Sequence, residues 1–171
     1  MSLQAARSLL LVALALALAP PAYSQNSAQS GTLDKVKRDG TLVIGYLEAA
    51  APFSSVDASG QPQGYSVDLC RAVAGGIATQ LKIADLKTRW VPLTVQTRLE
   101  AVRAKRVDLE CSTTTWTLQR QALVDFSLIT FVDGANILSL AESGIGRVAD
   151  LAGKRVAVLG GTTTEKVLRG A

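Results

Sequence analysis

The chain has no histidine and only two cysteines, Cys70 and Cys111. Without histidine, the Ser-His and Cys-His nucleophile arrangements are unavailable, and the commonest metal ligand is missing. Two cysteines with no histidine make a poor metal set. No metal and no cofactor are expected. Charge of one sign is also scarce: the formal excess is +4 and lies scattered, with no Lys/Arg block. Nucleic-acid binding would want a basic stripe and is discounted. Gly160-Gly161 is followed by threonines rather than Gly-Lys-Thr, so it is no Walker loop. Long apolar runs are absent apart from residues 9–19, and a membrane span needs about 20 such residues.

That one run has a context. Arg7 is the lone charge before Asp34, Pro20 and Pro21 end the run, and Ala22-Tyr23-Ser24 follows with small residues at both positions a signal peptidase reads. A basic start, a short apolar stretch and such a site predict a secretory signal over residues 1–24. No cysteine follows it directly, so an anchor on a mature N-terminal cysteine is not available. Residues 25–31 are polar and small and read as a flexible tether.

From residue 32 the pattern alternates between helix and strand. Residues 32–38 read as a short helix stopped by Gly40, and residues 41–46 as a buried strand. Residues 53–57 and 62–65 flank a turn and predict a hairpin. Leu69, Val73, Ile77 and Leu81 recur at helical spacing, which predicts a helix capped by Ser66 and running to about Leu81. Strands follow at 87–93, 107–111, 135–140 and 155–159. Helices fall at 95–105, with Leu99 and Val102 inward, at 117–124, and after Thr164, with a helical turn at 149–151. This order predicts an α/β fold with a mostly parallel sheet. Cys70 in the first turns of a helix and Cys111 at a strand's C-terminal end would lie at one sheet edge. Export makes a disulfide between them feasible; two buried thiols are the alternative.

In open α/β sheets, ligands bind at the C-terminal ends of strands beside helix N-termini. Three segments should arrive there. In the first, Cys111 is followed by Ser112, Thr113, Thr114 and Thr115, then Trp116, and Arg120 falls in a helix's first turn. Arginine there opposes the helix dipole. With hydroxyls and free N–H groups it could hold a carboxylate; the alternative is a turn with a solvated arginine. In the second, Gly160 and Gly161 precede Thr162, Thr163, Thr164 and Glu165, and a T-x-x-E capping box over Thr162 and Glu165 explains much of it. The third is Ala51-Pro52-Phe53, where Phe53 packs either on a ligand or in the hairpin core. Tyr65 and Trp90 read as structural, and Trp116 as either.

Leu42-Val43-Ile44-Gly45, Pro52-Phe53, Gly64-Tyr65-Ser66-Val67-Asp68-Leu69, Arg98-Leu99, Val107-Asp108-Leu109, Arg120, Val124-Asp125-Phe126-Ser127, Leu151-Ala152-Gly153-Lys154-Arg155-Val156 and Gly161-Thr162-Thr163 occur in order. In this the chain resembles the family 3 extracellular solute-binding proteins of amino-acid ABC transporters, and residues 109–115 look most like the glutamate/aspartate-binding branch. The resemblance implies a periplasmic monomer with a two-lobe, type II periplasmic-binding-protein-like fold that closes on an amino acid and delivers it to an inner-membrane permease. It places lobe I at 32–130, the hinge crossing at 131–136 and the start of lobe II at 137–171, so lobe II is expected to be incomplete. It puts Arg120 on the ligand α-carboxylate, Thr113 and Thr115 on hydroxyl or backbone contacts to the same ligand, Thr162 or Thr163 on the lobe II contact, and Arg98 on a side-chain carboxylate.

Two positions depart from the branch. Leu47 stands where glutamate/aspartate binders carry a second arginine, and Val95 replaces a small polar contact. Cyclohexadienyl dehydratases resemble the same family and use the same cleft, so an enzyme is the second reading, and the sensor module of a longer receptor is the third. The expectation is a binding protein, not an enzyme.

Overall fold

The computed structural model describes residues 31–170. The expected signal at 1–24 and all of the tether but Gly31 lie outside the described residues.

Helix α1 (Thr32–Asp39) leads through Gly40, at φ +61°, into strand β1 (Thr41–Leu47). Short strands β2 (Ala49–Ala50), β3 (Ser54–Val56) and β4 (Pro62–Gln63) form an antiparallel sheet of their own. Helix α2 (Tyr65–Leu81), strand β5 (Lys87–Leu93), helix α3 (Arg98–Arg103), strand β6 (Leu109–Cys111) and helix α4 (Leu118–Gln121) follow. The larger sheet is parallel, with β1 between β5 and β6. Among the described residues, no helix is long and apolar enough to cross a membrane.

Side-chain alternation along β1 builds a core on each face. Leu42 and Ile44 point to one face and pack with Val36, Ala74 and the disulfide-bonded Cys70 and Cys111. Val43 points to the other and packs with Ala101 and Val107. Gly45 shares that second face, where an added Cβ would come within 2.3 Å of Leu93 Cδ1. The missing side chain is what lets β5 and β1 approach there.

Several expectations need correction. Helix α2 starts at Tyr65, with Gly64 at the N-cap and no side-chain cap. Gly64 sits at φ +118°, and a Cβ would lie 2.6 Å from the Phe53 carbonyl oxygen, so only glycine fits this turn. Ser66 is freed from capping and donates to the Ser112 carbonyl instead. The inward stripe of α2 is also different. Val67 and Ala74 are buried, Cys70, Ile77 and Leu81 pack beside them, and Leu69 and Val73 are exposed. Spacings of three and four hold one face, whereas steps of four alone drift around the helix.

Helix α3 begins three residues later than expected, because Thr94 and Thr97 close a turn on each other first. Strand β6 begins at Leu109 because the Asp108 carboxylate, not a carbonyl, takes the Val43 N–H. Helix α4 covers only Leu118–Gln121, and the turn at Val148–Leu151 is 3-10. The strands expected at 135–140 and 155–159 do not form. A strand exists by pairing its backbone groups with a neighbour, and no described residue pairs with either segment. Leu138 is fully exposed as a result. Helix α5 (Thr163–Gly170) closes the described chain.

Candidate functional site

The C-terminal ends of β1, β5 and β6 share one edge of the parallel sheet. The loops that leave them, and the start of α5, gather the polar groups of the chain.

The loop after β6 is fixed from three sides. Cys111 is bonded to Cys70 on α2, with the Cα atoms 6.4 Å apart. Ser66 Oγ donates to the Ser112 carbonyl at 2.7 Å. Thr117 caps α4 by accepting from the Arg120 N–H at 3.2 Å. Thr113 and Thr115 are exposed on this loop, and the buried Thr114 hydroxyl has no hydrogen-bond partner among the described residues.

Arg120 is half-buried and bridges two segments. Its Nη1 donates to the Thr115 carbonyl at 2.9 Å and its Nη2 reaches the Gly161 carbonyl at 3.5 Å. Thr115 and Thr163 bring their hydroxyls to 3.4 Å, and Gln96 Nε2 donates to the Gly160 carbonyl at 3.2 Å. Lys166 Nζ donates to Gln119 Oε1 at 3.0 Å. The two hydroxyl-rich helix starts of the sequence therefore face each other. Thr162 is turned to its own helix: its hydroxyl donates to the Leu159 carbonyl and accepts from the Glu165 N–H. The return arm of the expected capping box is displaced by one residue, since Glu165 Oε2 accepts from Gly161 N rather than from Thr162.

Arg98 is 3% exposed at the first position of α3. Its Nη1 donates to Ser112 Oγ at 3.4 Å, and Ser112 Oγ in turn donates to the Glu110 carboxylate through a short hydrogen bond. Nε is buried with no hydrogen-bond partner among the described residues. Burial pushes the guanidinium below its usual value; the Glu110 carboxylate acts in the opposite direction, and the Arg120 charge adds to the depression. Glu110 and Gln96 were not among the sequence candidates, and Ser112 entered only as one hydroxyl of the run after β6. Alternation along β6 held the signal for Glu110: Leu109 and Cys111 face α2, so Glu110 faces α3, where Arg98 sits.

Phe53 packs edge-on against Tyr65 and Phe131, with ring centroids 6.0 and 4.8 Å away. Tyr65 OH donates to the Thr130 carbonyl at 2.8 Å. Among the described residues, no cluster of acidic side chains and cysteines could hold a metal.

Comparison with known sequences settles the family. The profile of the bacterial extracellular solute-binding proteins, family 3, matches residues 42–166. The chain belongs to that family. The L-glutamate/L-aspartate-binding protein of Pseudomonas aeruginosa is 40% identical over 141 residues, which is 82% of this chain and 47% of that protein. The glutamate/aspartate import solute-binding protein of Escherichia coli K12 is 35% identical over the same shares. The chain thus spans about half the length of the curated relatives it matches. Among solved structures, the solute receptor for L-cysteine of Neisseria gonorrhoeae superposes with a TM-score of 0.66 at 26% identity, covering 81% of this chain and 55% of that one. The α/β fold is that of the type II periplasmic amino-acid-binding proteins.

Proposed function

We propose that this chain forms part of a periplasmic binding protein that captures an amino acid and passes it to an ABC permease of the inner membrane. The observation that carries the proposal is the placing of Arg120 between the Thr115 and Gly161 carbonyls, where the two hydroxyl-rich helix starts meet. A guanidinium presents parallel N–H groups to a carboxylate. The hydroxyls of Thr115 and Thr163 meet beside it as further donors, and Thr113 is exposed on the same loop. Arg120 holds the α-carboxylate in this reading, and Arg98 faces the side chain. Residues 32–130 act as the first lobe, 131–136 as the crossing, and 137–171 as the start of the second. Phe53 covers the ligand from the hairpin side, its ring braced by Tyr65 and Phe131. The protein is exported by its N-terminal segment and acts as a monomer. It binds rather than transforms its ligand, and its named relatives support this, being binding proteins.

The ligand class follows from the same relatives, which bind glutamate and aspartate by name. The test is calorimetric titration of the complete protein with a panel of amino acids, with and without Arg120→Ala. Charge-assisted hydrogen bonds are worth about 1.5–3 kcal/mol each. Loss of the guanidinium should weaken binding about 100-fold. Unchanged affinity in the variant would overturn the assignment.

A further inference from the structure

We infer that Glu110, acting through the Ser112 hydroxyl, sets how strongly the site favours an amino acid with a side-chain carboxylate over its neutral amide. The inference rests on the proposed reading that Arg98 faces the ligand side chain.

The observations form a short chain of donors and acceptors. Arg98 Nη1 donates to Ser112 Oγ, and the Ser112 hydroxyl donates to Glu110. The carboxylate is thus one hydroxyl away from a guanidinium that is 3% exposed. Buried charge is tolerated where an opposite charge answers it, and Glu110 is the anion at hand. The relay has its own support. Ser66 holds the Ser112 carbonyl, the disulfide holds Cys111, and β6 is paired to β1 at Glu110 through Gly45. The backbone at Glu110 is therefore fixed, and the Ser112 hydroxyl holds its carboxylate.

A fixed anion beside Arg98 has two consequences. It holds the guanidinium in one orientation through the Ser112 hydroxyl, and it cancels part of the field that a ligand's side-chain carboxylate would meet. Glu110 is a positioning and specificity-setting residue: removing its charge should strengthen the pull on an acidic side chain and leave a neutral one nearly indifferent. Two unit charges about 10 Å apart at an effective dielectric near 20 still interact enough to change affinity about tenfold.

The experiment measures dissociation constants of the complete protein for glutamate and for glutamine. In Glu110→Gln, which keeps the shape and one acceptor oxygen for the Ser112 hydroxyl, the glutamate-over-glutamine affinity ratio should rise about tenfold. Glu110→Asp should return the ratio towards wild type. Ser112→Ala breaks the relay while leaving both charged groups. It should move the ratio away from wild type, and it keeps the inference testable if Glu110→Gln does not fold. A ratio that stays at the wild-type value while both affinities fall together would overturn the inference and make Glu110 merely structural. A wild-type protein that binds no amino acid would instead overturn the amino-acid reading, and this inference with it.

Discussion

The hydroxyl of Ser54 closes on both polar groups of Leu47, accepting from its N–H at 2.9 Å and donating to its carbonyl at 2.7 Å. Ser54 is fully buried, and Leu47 ends β1 at the site edge. One hydroxyl thus satisfies a donor and an acceptor that the short sheet β2–β4 leaves over. Ser54→Ala should leave these groups unpaired in the core. The cost should be about 2 kcal/mol, read as a lower midpoint in urea with an unchanged slope.

Lys35 and Asp108 join α1 to the start of β6. Lys35 Nζ lies 2.7 and 2.9 Å from the two carboxylate oxygens, and one of these also accepts from the Val43 N–H. The Asp108 side chain is 3% exposed, whereas Lys35 is partly solvated. Asp108→Ala strands a backbone donor and a cation together and should cost about 3 kcal/mol. Lys35→Ala should cost less, because the carboxylate keeps the amide. A double-mutant cycle by chemical denaturation should give a coupling of about 1 kcal/mol or more.

The Cys70–Cys111 bond closes a loop with a sequence separation of 41. Constraining a loop of this length in the unfolded chain stabilises by about 3–4 kcal/mol on the chain-entropy account. Cys70→Ser with Cys111→Ser should lower the unfolding free energy by that amount, and reductant should do the same to the wild type but nothing to the double variant. Since Ser112 and Thr113 follow Cys111 directly, amide exchange in the loop after β6 should quicken in the variant before exchange in β1 does.

The particular residues explain how far the sequence could be read. The parallel strand at 41–47 was legible because an apolar run between turn signals has few other uses. No strand leads directly into the second hydroxyl-rich helix start, which the Thr115–Thr163 and Arg120–Gly161 contacts bring to the first; the first was legible because a strand end followed by a helix start falls at the site edge. The start of α2 was not, because the hydroxyl of Ser66 looks like a cap in sequence, whereas the turn is governed by the backbone of Gly64 against Phe53. The strands at 135–140 and 155–159 were misread for a different reason. Periodicity reports which residues favour a sheet, while pairing depends on a neighbour that the described residues do not supply. Alternation along β6 put Glu110 on the α3 side, but its link through Ser112 to Arg98 lay in tertiary contacts between α3 and the end of β6.

Acid should release the loop at the start of α5. Glu165 Oε2 accepts from the Gly161 N–H at 2.8 Å, and Oε1 accepts from Arg169. The Gly161 amide, and after it the Arg169 guanidinium, hold the carboxyl below its ordinary range, against a smaller opposing effect of burial. A folded value below the unfolded one means that the ionised state favours folding. The contribution is therefore full above the ordinary glutamate value and is lost as the pH falls through the folded one. Glu165→Gln should be less stable than wild type at neutral pH, and the two unfolding midpoints should converge on acidification. The Gly161 carbonyl also receives Arg120. Loosening this loop should thus weaken ligand binding over the same acid range, and Glu165→Gln should already show the weaker affinity at neutral pH. A difference between the two midpoints that persists unchanged into acid would mean that Glu165 acts through packing and not through its charge.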